Sequence, residues 1–175
     1  VAALEMTDLN ALSTSQIRAF SSSQIGALTT AQVETLTTTA LGVLNATQVK
    51  GFSPNQLGEF SESQIGALTS SAIAGLTSSQ LKSLSTTNLN ALDATQMRAL
   101  TVAQTKALTA TQVAGLRTTD IGELLTSQIR LLNGTQLRAL TTTNVNALDT
   151  AQVQSLWAAQ AAALIVEVAG AGLGE

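Results

Sequence analysis

An eight-residue repeat runs through almost the whole of this 175-residue chain. Counting from Leu4, every eighth residue as far as Leu164 is leucine or phenylalanine, 21 times without exception or insertion. Self-similarity at a fixed period is typical of repeat architectures, in which each unit is too small to bury its own apolar face and is stabilised by its neighbours. The sequence therefore predicts one continuous array of 20 octads from Leu4 to residue 163.

Each octad follows a common pattern, which we number from the leucine or phenylalanine as position 1. Position 2 is Ser, Thr, Asn or Asp in 16 of the 20 octads, and position 5 is Gln in 14. Position 6 is Ile, Val, Leu or Met in 18 octads, and position 8 is Ala, Gly, Ser or Thr in 16. The consensus is L-[ST]-x-x-Q-[IVL]-x-A.

This pattern is the start signal of an α-helix. Ser or Thr followed three residues later by Gln is a capping box, and the apolar residues at positions 1 and 6 take the two places of the hydrophobic staple. Leu12, Ser13, Gln16 and Ile17 show the full set. The sequence predicts an all-α solenoid, a superhelical spiral of short capped helices with one helix per octad and positions 1 and 6 inside.

Three further features favour short helices. Pro54 follows Ser53 and so falls at the first helical position, where proline is favoured. Basic residues concentrate at position 7, near the predicted helix end, and acidic residues near the predicted start, as the helix macrodipole favours. The basic residues are Arg18, Lys50, Lys82, Arg98, Lys106, Arg130 and Arg138, and the acidic ones are Glu5, Asp8, Glu62, Asp93, Asp120 and Asp149.

Two other folds were weighed. In one continuous helix, the apolar stripe would rotate by roughly 80° per octad, so a single neighbour could not cover it. A β-solenoid with one short strand per octad is the alternative, favoured by the Thr, Ile and Val content. The alanine-rich position 8 and the capping signals count against it, and we expect the small residue at position 8 to let successive helices approach closely.

Some octads depart from the pattern. Position 2 lacks a capping side chain in four octads, Ala40 and Ala72 replace the glutamine, and Thr105 and Ala161 replace the aliphatic residue. The four residues without a capping side chain are Glu5, Arg117, Leu125 and Trp157. We interpret Trp157 as a lid over the last open part of the core. The predicted organisation is a solenoid over residues 1–163 and a C-terminal cap or junction over residues 164–175, with docking to another subunit as an alternative for the second segment.

Composition excludes most site chemistry. The chain has no histidine and no cysteine, which excludes histidine metal sites, thiolate nucleophiles, Ser-His-Asp triads and disulfides. The acidic residues are scattered, and each has a ready explanation as a cap or a surface charge. We therefore predict no enzymatic activity, no catalytic, cofactor-binding or metal-binding residue, and no cofactor.

Charge and hydropathy bear on the partners. Charged residues make up 11% of the chain and the net charge is −3, which argues against nucleic acid as a partner. The longest apolar stretch, near residues 161–166, is too short to insert into a membrane. The position 7 basic residues are interpreted as helix-end charges rather than as a groove for an anionic polymer. The Thr and Ser residues at positions 3 and 4 leave open a surface that binds ice or a glycan.

The octad resembles the Thr/Gln/Ala/Leu octapeptide runs of very large, repetitive bacterial proteins that are described as secreted or cell-surface, adhesin-like proteins. Residues 28–32 (LTTAQ) and 63–68 (SQIGAL) are typical of these runs, and the resemblance extends from Leu4 to Leu156. It implies an extracellular or cell-surface location and no catalytic residues. Residues 52–57 (FSPNQL) are also similar to the repeat openings of transcription-activator-like effectors, but the second helix and base-reading loop of those repeats are missing here.

The expected function is that of a non-enzymatic structural repeat protein. We predict an extracellular spacer, scaffold or adhesive surface whose partner is another protein or a second copy of the chain, and which is able to assemble end to end. The alternative is an ice-binding or glycan-binding surface built from the Thr and Ser columns.

Overall fold

The computed structural model describes residues 4–157 and 160–162, and within these residues the chain is helical and contains no β-strand. The prediction of an all-α solenoid is confirmed, and the β-solenoid alternative is wrong. Residues 160–162 are helical, and between residues 4 and 157 nineteen helices of four to six residues follow one another, one per octad. They are α1 Met6–Ala11, α2 Thr14–Arg18, α3 Ser22–Gly26, α4 Thr30–Thr35, α5 Thr38–Leu41, α6 Ala46–Val49, α7 Pro54–Gly58, α8 Glu62–Gly66, α9 Ser70–Gly75, α10 Ser78–Ser83, α11 Thr86–Asn90, α12 Ala94–Arg98, α13 Val102–Ala107, α14 Ala110–Ala114, α15 Thr118–Glu123, α16 Thr126–Ile129, α17 Gly134–Arg138, α18 Thr142–Asn146 and α19 Thr150–Gln154.

Position 2 is the N-cap of every one of these helices, as the sequence predicts. In α2 the Ser13 hydroxyl accepts a hydrogen bond from the Gln16 backbone N–H at 3.3 Å. The Gln16 side-chain oxygen accepts in return from the Ser13 backbone N–H at 2.8 Å. The N-cap residue is extended, with φ −66° and ψ 159°, so each cap changes the direction of the chain. Pro54 occupies the first turn of α7, as predicted.

Helices pack against the third helix along the chain, for example α6 against α9 and α7 against α10. Hydrogen bonds between neighbouring turns join residues 25 to 31 positions apart, from Ser78–Ala103 to Gln112–Leu81. One turn of the spiral therefore takes between three and four octads. This number was not derivable from the sequence pattern, because the octad fixes where each helix begins but not the angle between successive helices.

Positions 1 and 6 form one continuous core along the spiral, as predicted. Leu41, Val49 and Leu57 at position 6 are completely buried. At position 1, Phe52 and Phe60 are also buried, and their rings meet edge to face with centroids 5.2 Å apart. No single octad encloses this core, because its walls come from helices three octads apart. The stability of each helix therefore depends on the turns on either side.

The position 5 side chains link one turn to the next. The side-chain nitrogen of Gln48 donates to the carbonyl oxygen of Phe20, 28 residues earlier, at 2.8 Å, and to that of Ile17 at 2.9 Å. Gln48 is 2% exposed, and its side-chain oxygen accepts from the Asn45 backbone N–H in its own octad. One glutamine thus caps the start of its own helix and satisfies carbonyls at the end of a helix on the preceding turn.

We call the whole set of these bonds the glutamine ladder. Fourteen position 5 side chains donate to a carbonyl 28 residues earlier: Gln32, Gln48, Gln56, Gln64, Gln80, Asn88, Gln96, Gln104, Gln112, Gln128, Gln136, Asn144, Gln152 and Gln160. The sequence pattern identified the first role of position 5, the capping box. It did not identify the second, because the carbonyl acceptors belong to the backbone and leave no residue signature.

Close approach at position 8 occurs between turns and not between successive helices, which corrects our expectation. A Cβ atom on Gly51 would lie 2.1 Å from the Ser22 carbonyl oxygen, and one on Gly75 would lie 2.5 Å from the Ala46 Cα atom. Both contacts reach position 3 of an octad 29 residues earlier. Small residues at position 8 thus allow neighbouring turns to pack closely against each other.

The departures from the pattern have local consequences. Glu5, Arg117 and Leu125 make no side-chain cap. Arg117 instead donates from Nε and Nη2 to the two carboxylate oxygens of Asp120, both at 2.9 Å, and this hydrogen bonding raises the pKa of Arg117. The Thr105 hydroxyl is buried and has no hydrogen-bond partner in the part of the chain that the structure describes.

Candidate functional site

Exposed apolar side chains gather on one part of the solenoid surface. Among the described residues, five large apolar side chains are exposed, and three of them, Val102, Leu125 and Trp157, line or border the same groove. Trp157 is the most exposed of these at 62%. We call this surface the Trp157 patch. It consists of Arg98, Val102, Leu125, Arg130, Leu131 and Trp157.

The patch brings together three turns of the spiral. Val102 begins α13, Leu125 is the N-cap of α16, and Trp157 follows α19. The groove among them has a volume of about 450 Å³. A second groove of about 560 Å³ shares Ser127, Arg130 and Trp157 with the first, and Gln154 and Ser155 contribute to its walls. Trp157 therefore lines two open grooves.

Two arginines give the patch positive charge. The Arg130 guanidinium lies over the Trp157 ring, 4.9 Å from the centroid, which is a cation–π contact. Arg98 pairs with the Glu123 carboxylate and remains 52% exposed. The ion pairs found within the described residues are Arg98–Glu123 and Arg117–Asp120, so the Arg130 charge has no carboxylate partner there.

The fold does not require these apolar residues. Leu125 occupies a position where a serine or threonine would cap the helix, so α16 lacks the N-cap side-chain bond and keeps only the bond from the Leu125 N–H to the Gln128 side-chain oxygen. Leu131 occupies position 8, which is small in most octads. Trp157 occupies position 2 of its own octad and packs on Arg130 rather than over the core, so our interpretation of Trp157 as a lid over the core is wrong. The predicted cap or junction over residues 164–175 lies outside the described residues.

The predicted charge positions are confirmed. Arg18, Lys82, Arg98, Lys106 and Arg138 lie in the last turns of their helices, and Lys50 and Arg130 are C-cap residues. Asp8, Glu62 and Asp120 lie in first turns, while Glu5, Asp93 and Asp149 are N-caps. These charges are explained by helix ends.

The hydroxyl side chains form the most extensive polar surface. Position 4 is exposed in every described octad that carries a complete helix, from Thr7 to Ala151, and it is Ser or Thr in most of them. Position 4 lies in the first helical turn, so these hydroxyl groups emerge beside the caps.

Within the described residues, no cluster of three or more acidic side chains is arranged to hold a metal ion. None of the helices found there has the length and apolar character needed to cross a membrane.

Comparison with known proteins agrees with the repeat. A family model described as the ALTTAQ repeat matches residues 1–38 and 73–110. The chain is a repeat protein. No curated protein matches it. The two matched segments begin at equivalent steps of the octad, 72 residues or nine octads apart, which agrees with the insertion-free array seen in this repeat protein.

Sequence reasoning recognised Leu125 and Trp157 as missing caps but did not place them together. The signal that connects them is their separation of 32 residues, together with the same separation between Arg98 and Arg130. Residues 32 positions apart lie on neighbouring turns. This can be inferred from the sequence only when the number of octads per turn is known. That number came only from the structure.

Proposed function

We propose that this repeat protein is a non-enzymatic, rigid spacer or scaffold. The observation that supports this proposal most directly is the glutamine ladder, which ties each turn to the next through buried hydrogen bonds such as Gln104 to Leu76 at 2.8 Å. A buried side chain bonded at both ends resists sliding between turns, because breaking it leaves several polar groups unpaired. A spiral joined at every turn keeps a fixed length.

A distance measurement on the intact chain tests this proposal. The chain has no cysteine, so the substitutions Ser23→Cys and Thr143→Cys place spin labels at two exposed position 4 sites without other reactive thiols. Fifteen octads separate the labels, and stacking of turns at about 8–10 Å predicts a label separation of about 35–45 Å. A rigid spacer gives one narrow distance that is unchanged in 1 M salt, on the order of ten times physiological ionic strength. A broad distance distribution would contradict the proposal.

The location that we propose is extracellular or on the cell surface, with an adhesive role through protein or self-contact. The support is the resemblance of the octads to those of secreted and cell-surface repeat proteins. An antibody raised against the chain should label intact cells of its source without permeabilisation. Labelling seen only after permeabilisation would contradict this part of the proposal.

A second candidate is ice or glycan binding through the exposed hydroxyl groups of position 4. The observation that favours it is the regular exposure of Ser and Thr at this position. Thermal hysteresis at micromolar protein, or retention on insoluble cellulose or chitin, is the expected result. If neither is observed with the folded chain, this candidate is removed.

A further inference from the structure

We propose that the Trp157 patch is a docking surface for an acidic, aliphatic segment of a partner protein. This inference goes beyond the spacer function and does not depend on it, because a docking surface can act on a rigid or a flexible array. The patch is defined by Arg98, Val102, Leu125, Arg130, Leu131 and Trp157.

Leu125 makes the fold less stable than a consensus residue at its position would. Leu125 stands where a Ser or Thr cap would stabilise the helix by about 1 kcal/mol, and its side chain makes no capping hydrogen bond to α16, which keeps only the bond from the Leu125 N–H to the Gln128 side-chain oxygen. Leu125 is 44% exposed, so nearly half of the apolar gain from burying a leucine is also absent. Residues that break a local rule without a compensating gain in the fold point to function.

Such residues converge on one part of the spiral. Val102, Leu125 and Trp157 lie on different octads, yet the spiral brings them to one groove of about 450 Å³. Large exposed apolar surfaces rimmed by polar residues mark interaction sites, and here the apolar wall of the groove is flanked by Arg98 and Arg130. Tryptophan and arginine are also the residues most enriched at the centres of protein interfaces.

The positive charge of the Trp157 patch indicates which kind of partner segment fits it. Arg130 has no carboxylate partner in the described part of the chain, and the Arg98 side chain is half exposed beside the groove. A carboxylate bound there would meet the Arg130 guanidinium, next to the Arg98 side chain that is paired with Glu123, whereas a basic segment would be repelled by Arg130. An acidic segment carrying leucine, isoleucine or valine would satisfy both the charge and the apolar wall.

A glycan fits this surface less well. Its hydroxyl groups would face the side chains of Leu125, Leu131 and Val102, which offer no hydrogen bonds. One face of the Trp157 ring, which would otherwise stack on a sugar, is covered by Arg130. The geometry therefore favours a protein segment.

The fluorescence of Trp157 reports binding directly, because this residue is the single tryptophan of a chain that has no tyrosine. The probe is an end-blocked octapeptide that alternates aspartate and leucine, titrated into the full chain. We expect a saturable change in Trp157 emission, with a shift to shorter wavelength as water leaves the groove. Raising the salt concentration from about 0.05 M to about 0.5 M should weaken binding, because the arginine contacts are screened.

Two variants test the residues of the patch. Leu125→Ser restores the consensus cap, so it should raise the thermal midpoint while weakening peptide binding about tenfold. Arg130→Gln should weaken binding by about the same factor. Arg138→Gln is the matched control, because Arg138 occupies the same position of the next octad and lies outside the patch. Its affinity should equal that of the unmodified chain.

Three outcomes would overturn the proposal. The first is no saturable signal with the acidic peptide. The second is equal affinity for Leu125→Ser and the unmodified chain. The third is equal affinity for a peptide in which lysine replaces aspartate or serine replaces leucine. Binding of a cellulose or chitin hexasaccharide in place of the peptide would assign the patch to glycans instead.

Discussion

Thr105 brings a hydroxyl group into the interior of the spiral. The side chain is fully buried at position 6, and its Oγ1 has no hydrogen-bond partner among the described residues. A buried polar group without a partner costs about 1–3 kcal/mol. We expect Thr105→Val, which has nearly the same shape, to increase the free energy of unfolding by about 1 kcal/mol, measured by urea unfolding followed by circular dichroism.

The reverse substitution at an equivalent site is the control for Thr105. Val113 occupies position 6 of the next octad and is 1% exposed. Val113→Thr should lower the free energy of unfolding by a similar amount. If Thr105→Val destabilised the chain, the hydroxyl would have a partner that the structure does not show.

Gly51 and Gly58 differ in the space that is available for a side chain. A Cβ on Gly51 would lie 2.1 Å from the Ser22 carbonyl oxygen, on the backbone of the preceding turn, whereas one on Gly58 would meet nothing nearer than 3.7 Å. Gly51→Ala should therefore destabilise the chain by about 1–3 kcal/mol, as overpacking does. Gly58→Ala should stabilise it by about 0.5 kcal/mol through loss of unfolded-state entropy. Thermal unfolding of the two variants side by side distinguishes these effects, and equal midpoints would contradict them.

At the scale of the helix, position 5 makes two kinds of contact. Gln104 accepts from the Thr101 N–H and donates to the carbonyls of Ile73 and Leu76. Gln16 makes the same cap with Ser13 but is exposed and makes no bond to another turn within the described residues. The two glutamines therefore share the cap, and Gln104 has in addition the buried bonds of the ladder.

Replacing each of these glutamines by glutamate separates the effect of the buried ladder contacts from the effect of the cap. In Gln104→Glu the carboxylate still accepts from the cap but faces two carbonyl oxygens, so we expect a loss of at least about 3 kcal/mol at pH 7. Gln16→Glu should be nearly neutral, since a negative charge is favourable near a helix start.

The pH dependence of Gln104→Glu gives a second check. Burial beside carbonyls raises the folded-state pKa of the introduced carboxyl above its unfolded value of about 4.3. Its protonated form can donate, so the stability defect should be small near pH 4 and grow as the pH rises through the folded pKa. A defect of constant size from pH 4 to pH 7 would show that the ladder hydrogen bond is not the cause. Urea unfolding at several pH values measures it.

The helix starts were predictable and the contacts between turns were not, for a physical reason. Ser13, Gln16 and Ile17 interact within a few residues of one another, so their spacing in the sequence determines the cap. The bond from Gln48 to Phe20 spans 28 residues, and it depends on how successive helices rotate. The convergence of Leu125 and Trp157 follows from the same rotation, which explains why the sequence showed them only as two separate missing caps.

At the scale of the whole molecule, each side chain of the ladder makes a bond from position 5 to the position 1 carbonyl of an octad on the preceding turn. Gln96 reaches Leu68 and Gln104 reaches Leu76 in this way. The ladder therefore requires that the number of residues between its partners changes only by whole octads. It does not require any particular octad. A chain that gains or loses a complete octad keeps position 5 opposite position 1.

Deleting residues 76–83, which form one octad, tests this dependence. Gln104 would then lie opposite Leu68, again a position 1 leucine, so helix content per residue and cooperative unfolding should be retained. Deleting residues 76–82 instead would place Thr69 opposite Gln104 and put Ser83 in the apolar column, so the turns on either side could not share a core. We expect this chain to lose much of its helical circular dichroism, although it keeps one residue more. Equal stability of the two deletions would show that the turns fold independently of the ladder.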